Sequence, residues 1–242
     1  MESVKALVEQ LGSDDGVKRY QARLALKQLA WRAGNAESET DRAKVAAELA
    51  EAYAAAPAKP GWYYPGARDE TAELLSLAAG EAEVPALKQG LSDADSREMA
   101  RWALERIQSP AATAALIEAA KNESSVEFRV GAIGSLSRIG GEDAIAALKE
   151  LATHAEPEIS VAALEGLACQ ADASSDKLFE AALAKGADER AKNRLVKARI
   201  RLADHLAKSG DKDAAKAIYQ AVETTAEGPQ KNAAARALVE AG

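Results

Sequence analysis

One helix is written several times along this chain. Its pattern is a basic residue, two spacers, a small residue, two spacers, a small residue and Leu. It reads Arg19-x-x-Ala22-x-x-Ala25-Leu26, Arg97-x-x-Ala100-x-x-Ala103-Leu104 and Arg129-x-x-Ala132-x-x-Ser135-Leu136. Looser copies are Arg68-x-x-Thr71-x-x-Leu74-Leu75, Ser160-x-x-Ala163-x-x-Gly166-Leu167 and Lys231-x-x-Ala234-x-x-Ala237-Leu238. Residues three and four apart share a helix face, so each copy is one amphipathic helix. The anchors from 68 to 160 lie 29, 32 and 31 residues apart. A fixed period of that length means units that cannot bury their apolar faces alone and stack to do so. The expected fold is all-α: a right-handed α-solenoid of about seven antiparallel helix pairs.

Composition agrees with that expectation. Ala fills about a quarter of the 242 positions; it is the best helix former and lets helices approach closely. Only ten residues are aromatic, so Leu, Ala, Ile and Val must supply the packing. No segment alternates with period two for long enough to make a strand. The periodicity predicts helices over 2–11 with 16–32, 38–56 with 67–79, 82–91 with 94–108 and 110–121 with 125–139. Three more pairs follow, 142–153 with 157–169, 174–185 with 188–208 and 211–225 with 229–240. Pro110 and Pro157 fit first-turn positions, and Gly140, Gly186 and Gly210 fit helix stops.

The basic anchor starts its helix, an unfavourable place for a cation beside the positive end of the helix dipole. It therefore calls for an acidic partner. Asp15 lies four residues before Arg19, Asp93 four before Arg97, and Glu123 six before Arg129. With Arg68, these residues are read as a structural acid–base ladder between successive turns, holding register rather than doing chemistry.

An acidic turn followed by Val-Arg-x-x-Ala-x-x-Ala-Leu-x-x-Ile-Gly is the hallmark of HEAT repeats, in the short bacterial type also found in phycobilin lyases. Phe128-Arg129-x-x-Ala132-x-x-Ser135-Leu136-x-x-Ile139-Gly140 resembles it most closely, and the resemblance covers about residues 1–170. The copy at 160 departs from the pattern, with Ser160 for the Arg and Gln170 for the last apolar residue. The segment Leu202-Ala203-x-x-Leu206-x-x-x-Gly210-Asp211-x-x-x-Ala215-x-x-x-Tyr219-x-x-Val222 resembles one tetratricopeptide unit. The expected organisation is a HEAT-like array over 1–170, with an inserted aromatic loop at 57–66, and divergent, tetratricopeptide-like repeats over 171–242 capping the same solenoid.

Two features suggest a binding surface. The loop Pro57-Ala58-Lys59-Pro60-Gly61-Trp62-Tyr63-Tyr64-Pro65-Gly66 holds three consecutive aromatics. Trp and Tyr on a rigid loop are typical binding anchors, and they serve equally well to seal a groove between repeats. The second helices of such arrays line the inner, concave face. The positions opposite the small residues there are Tyr20, Leu24 and Lys27, then Asp69, Glu73 and Ser76, then Glu98, Trp102 and Glu105. They continue as Val130, Gly134 and Ser137, then Val161, Glu165 and Ala168. Glu98 and Glu105 around Trp102 form an acidic stripe that would suit a basic peptide or a partner helix; a plain solvated face is the other reading.

Chemistry-bearing constellations are absent from the sequence pattern. His154 and His205 fall in different repeats, without a Cys or carboxylate at metal-ligand spacing. Cys169 reads as a buried, inert thiol. The basic run Arg190, Lys192, Arg194, Lys197, Arg199 and Arg201 reads as a solvated helix with i,i+4 charge pairs. There is no phosphate loop and no nucleophile elbow. A net charge of -7 argues against a sequence-independent grip on nucleic acid and against an anionic membrane surface. The chain opens in helical periodicity with no apolar leader, so the default compartment is cytoplasmic.

The function expected is a non-catalytic protein- or peptide-binding scaffold, using the concave face and the aromatic loop, with no cofactor or metal and acting as a monomer. The resemblance to bilin-lyase HEAT proteins implies a second reading, an accessory subunit of an enzyme or a tetrapyrrole-handling protein. A HEAT-type DNA glycosylase would need a basic groove that this acidic chain does not supply.

Overall fold

The computed structural model describes residues 3–35, 39–56, 66–186 and 188–241, and all of its regular structure is helical. Among the described residues there are fourteen α-helices. In chain order these are α1 (Val4–Leu11), α2 (Gly16–Gly34), α3 (Glu39–Ala55), α4 (Ala67–Ala78), α5 (Val84–Gly90), α6 (Arg97–Ile107) and α7 (Pro110–Asn122). There follow α8 (Val126–Ile139), α9 (Gly141–Leu151), α10 (Pro157–Leu167), α11 (Asp176–Ala184), α12 (Glu189–Ser209), α13 (Lys212–Thr225) and α14 (Gly228–Ala241). Single 3-10 turns, Glu81–Glu83 and Ala173–Ser175, lead into α5 and α11. Each expected helix is present. The largest differences lie at helix starts, where α5, α6 and α11 begin two or three residues later than the periodicity suggests.

Two compact units are distinguished, Met1–Ala119 and Ala120–Gly242, divided within α7. In the first, α2, α4 and α6 neighbour one another in turn, and α1, α3 and α5 pack beside them. The motif positions of the repeat face inward: Ala22, Thr71, Leu74, Ala100 and Ala103 are buried, together with Leu26, Leu75 and Leu104, while Ala25 is half-buried. The apolar residue three beyond the Leu (Leu29, Ile107, Ile139) is only half-buried, and in α6 and α8 it is the last residue of the helix. Two glycines permit the closest approaches. A Cβ on Gly34 would lie 2.2 Å from the Leu77 carbonyl oxygen, so the end of α2 meets the end of α4 backbone to backbone. A Cβ on Gly90 would lie 1.8 Å from Tyr53 Oη, so α5 receives the ring of a fully buried tyrosine in a notch.

In the second unit, α8 packs on α9 and α10, α10 on α12, and α12 on α13 and α14. Pro110 and Pro157 open α7 and α10, and Gly140 and Gly210 end α8 and α12 with φ of 66° and 99°, where a side chain would be strained. Gly166 of α10 sits close against Leu148 and Ser137, where an added Cβ would lie 3.3 Å from each. Gln170 is not a lost apolar contact: its Nε2 donates to the carbonyls of Ser137 (2.7 Å) and Gly166 (3.3 Å), tying the ends of α8 and α10 together. Tyr219 of α13 is buried and donates to Asp204 of α12 at 2.6 Å; burial and that carboxylate hold its phenol protonated well above the ordinary range.

Three sequence expectations are corrected here. Val161 and Ala168, expected on the outward face of α10, are buried because α12 lies over it. Cys169 is exposed, since it falls in the turn beyond α10. The basic run on α12 is not uniformly solvated. Arg199 is buried and holds Asp176 through two bonds of 2.6 and 2.8 Å and Glu180 through a third of 2.8 Å. Arg194 clamps Glu165 at 2.9 and 2.8 Å and Glu158 at 2.9 Å.

Candidate functional site

The repeat cations solve their dipole problem mainly with backbone oxygen. Arg19 Nη1 donates to the Ser13 carbonyl just beyond α1 (2.5 Å). Arg68 Nε donates to the Tyr53 carbonyl in the last turn of α3 (3.4 Å) and Arg129 Nε to the Ala120 carbonyl in the last turn of α7 (2.8 Å). Arg19, Arg68 and Arg129 at the start of their helices thus neutralise the negative end of the antiparallel first helix. Carbonyl oxygens leave no side-chain signature, which is why the sequence pattern pointed only to carboxylates.

A second prong reaches into the following repeat. Arg68 Nη1 lies 2.7 Å from Asp93 Oδ2, and Arg129 Nη2 lies 3.2 Å from His154 Nε2. Both partners are 25 residues downstream. His154 Nδ1 accepts from the Glu156 N–H at 3.0 Å, and its other ring nitrogen faces Arg129. Asp15 acts differently. It N-caps α2, accepting from Val17 N–H at 2.8 Å and Lys18 N–H at 3.4 Å. Arg97 opens α6 and Glu123 lies in the turn before α8, both half-buried.

Further ion pairs run between repeats. Arg23 Nε lies 3.1 Å from Glu70 and Lys27 3.0 Å from Glu73, linking α2 to α4. The Arg23 contact is electrostatic, since the Nε–H makes no hydrogen bond of good angle. Burial raises the Glu70 pKa and Arg23 opposes that rise. Among the first helices, Lys88 pairs with Glu118 at 2.6 Å, Lys121 with Glu150 at 2.5 Å and Lys149 with Asp172 at 2.6 Å. Burial acts to raise the Asp172 pKa, but bonds from Lys149 and Ser174 outweigh it and leave the carboxyl below its ordinary value.

The outward face of the second helices in the first unit is the candidate site. On α2 the buried residues Ala22, Leu26, Ala30 and Ala33 occupy one side. On the other, Val17, Tyr20, Leu24 and Trp31 are 63, 68, 47 and 63% exposed. They fall at steps of three, four and seven, so they form one stripe along a helix apolar on two opposite sides. Leu77 of neighbouring α4 adds a further exposed apolar residue, and Lys27 bridges the two helices through Glu73. On α6, Glu98 is exposed while Trp102 and Glu105 are half-buried. Arg101 reaches both carboxylates, at 2.8 Å to Glu98 and 3.5 Å to Glu105. The Arg106 guanidinium lies 5.1 Å from the Trp102 ring centroid, a cation–π contact. Two cations thus match two anions around Trp102.

Sequence reasoning placed Tyr20 and Leu24 on this face and passed over Val17 and Trp31. Their three-four spacing opposite the Ala stripe was the available signal. Trp62, Tyr63 and Tyr64 lie outside the described residues. Among the described residues, no group of three or more His, Cys, Asp or Glu is placed to hold a metal ion, and no helix is long and apolar enough to cross a membrane.

Paired helices with a recurring Arg-anchored second helix define an α-helical repeat protein. Residues 84–168 match the HEAT repeats family, the segment covering α5 through α10. Solved structures similar to this chain include the complex of CpcE and CpcF of phycocyanin lyase from Nostoc sp. PCC7120, at 19% identity, 100% coverage of this chain, 96% of that chain and a TM-score of 0.45. Human deoxyhypusine hydroxylase in complex with glycerol matches at 19% identity, covering 98% and 95%, with a TM-score of 0.40. An engineered protein matches at 19% identity, covering 100% and 68%, also with a TM-score of 0.40. A comparison with curated protein sequences finds no match.

Proposed function

We propose that this protein is a non-catalytic, monomeric scaffold that seats a protein or peptide segment on the outward face of α2, α4 and α6. The observation that carries the reading is the α2 stripe. Four large apolar side chains stand in solvent on a helix whose opposite side is locked into the core. Exposed apolar residues gathered in one row on a rigid element favour an interaction surface, since a rigid face has little ordering cost on binding. Trp102 with Glu98 and Glu105 would extend the contact along α6. The groups with the most perturbed protonation, such as Tyr53 and Arg199, are spent inside packing contacts and not in an open cleft, which favours binding over catalysis. Residues 171–242 are proposed to cap the array.

Selection of displayed helical peptides on the immobilised full-length chain tests this. Peptides with an apolar seam should be enriched and should bind the free protein, and Tyr20→Ser with Trp31→Ser should abolish the enrichment while leaving the helical signal intact. Failure to enrich any peptide above a heat-denatured control would sink the reading.

A further inference from the structure

The charge around the α2 stripe says more about what covers it. From Gly16 to Gly34 the helix carries Lys18, Arg19, Arg23, Lys27 and Arg32 and not one acidic residue, in a chain of net charge -7. Arg19, Arg23 and Lys27 are engaged by Ser13, Glu70 and Glu73 on the side towards the rest of the unit. Lys18 and Arg32 lie along the other flank, both exposed. At 100° per residue they fall together with Gln21 and Gln28 on one edge of the apolar row. There the row borders an open groove of about 530 Å³ between α1 and α2, lined by Leu7, Gln10, Lys18, Gln21, Ala22 and Ala25.

We propose that the α2 stripe is the docking strip for an acidic amphipathic helix. The inference rests on the scaffold reading and names its ligand. Val17, Tyr20, Leu24, Lys27 and Trp31 follow alternating steps of three and four, the seam spacing of paired helices. The seam runs over residues 17–31, about 21 Å of helix at ~1.5 Å per residue. It therefore fits a partner helix of about four turns with its own apolar row. Asp or Glu beside that row would meet Lys18 and Arg32 across the groove edge. Charge disfavours the other occupants. A second copy would set one all-cationic helix against another, and the segment 57–66 carries Lys59 and no acid. An anionic membrane would face the chain's net charge of -7, whereas a single helix need meet only the cationic flank of α2.

The test titrates the full chain with two synthetic peptides of about 18 residues and identical apolar seams. One has Glu on both flanks and the other Lys. Vesicles of phosphatidylserine in phosphatidylcholine form a third arm. The Glu-flanked peptide should bind, weaken steeply with salt, and lose at least tenfold in affinity in Leu24→Glu. A Lys18→Glu/Arg32→Glu variant should turn the preference towards the Lys-flanked peptide. These side chains are exposed, so circular dichroism should be unchanged; Trp31→Ser replaces Leu24→Glu if that variant melts early. Equal binding of the two peptides, unchanged affinity in Leu24→Glu, or vesicle uptake through the same residues would each overturn the proposal. Selected library peptides that bind elsewhere, or lack acidic flanks, would overturn it and leave the scaffold reading standing. If neither the library nor these peptides bind, both readings fall.

Discussion

Arg68 holds Asp93 at 2.7 Å across a repeat boundary while its Nε donates to the carbonyl of Tyr53 in its own pair. One guanidinium thus fastens two joints at once, and its Cζ lies 5.5 Å from the centroid of the Tyr53 ring. The two partners are not equivalent. The carbonyl is held by helix α3, whereas Asp93 sits in a turn.

That difference predicts unequal costs. Arg68→Met should lose about 1–2 kcal/mol of stability, since it removes both a carbonyl bond and an ion pair. Asp93→Asn should lose about 0.5–1 kcal/mol. Denaturant melts of both single variants and the double variant should give a coupling of about 0.5–1 kcal/mol that shrinks in high salt. Strict additivity would mean that the contact contributes nothing.

Gly90 is the most tightly constrained glycine beside a side chain. An added Cβ would lie 1.8 Å from Tyr53 Oη, 3.0 Å from Cζ and 3.1 Å from the Ala100 Cβ. Gly90→Ala should therefore cost about 2–3 kcal/mol through overpacking. In a Tyr53→Phe background the worst contact disappears, so the same substitution should cost clearly less. Thermal melts of the four proteins decide the matter.

Tyr53 also sets an alkaline limit. Its hydroxyl is buried near Ser96, but neither oxygen makes a hydrogen bond of proper geometry. Burial raises its pKa from 10.0 to about 12. The folded state holds the proton longer, so the stability contributed by the neutral phenol is fully present below pH 10.0 and is lost as pH rises through about 12. Tyr53→Phe should change stability at neutral pH by no more than about 1 kcal/mol, because no bonded partner is orphaned. It should also lessen the loss above pH 10.0. Melting temperatures of the two proteins that fall in parallel with rising pH would rule out this phenol as the cause.

Arg199 should be the costliest single cation to remove. Its side chain is 4% exposed and its partner Asp176 21% exposed. Arg199→Met would strand a partly buried carboxylate pair for a loss of about 3 kcal/mol, read from urea unfolding. Arg199→Lys should recover only part of this, since an ammonium cannot reproduce the two parallel bonds to Asp176.

The helices themselves were legible because Ala, Leu and the recurring Arg obey a 3.6-residue period, and because Pro157 and Gly140 punctuate it. Burial was legible where packing is local to a repeat, as at Ala100 and Leu104. It failed at Val161 and Ala168, whose cover comes from α12, a helix outside the motif. Arg199 looked solvated because periodicity says nothing about which acids arrive from another helix. The candidate surface was half legible: Tyr20 and Leu24 follow from the face opposite the small residues, while Trp31 lies beyond the motif's last position.

The ion pairs between repeats have a direction. Arg23–Glu70, Lys27–Glu73, Arg68–Asp93, Lys88–Glu118, Lys121–Glu150 and Lys149–Asp172 all set a cation in one repeat against an anion in the next. At Arg194 the order reverses, with Glu158 and Glu165 preceding their cation. The joints before α10 therefore each have a leading and a trailing side, whereas the joint from α9 and α10 to α11 and α12 holds both orders at once, Lys149 facing forward and Arg194 facing back. Shuffling of such units is restrained by electrostatic polarity as well as by shape: a repeat inserted backwards at a one-way joint would bring like charges together, and only the joint at α12 reads in both directions.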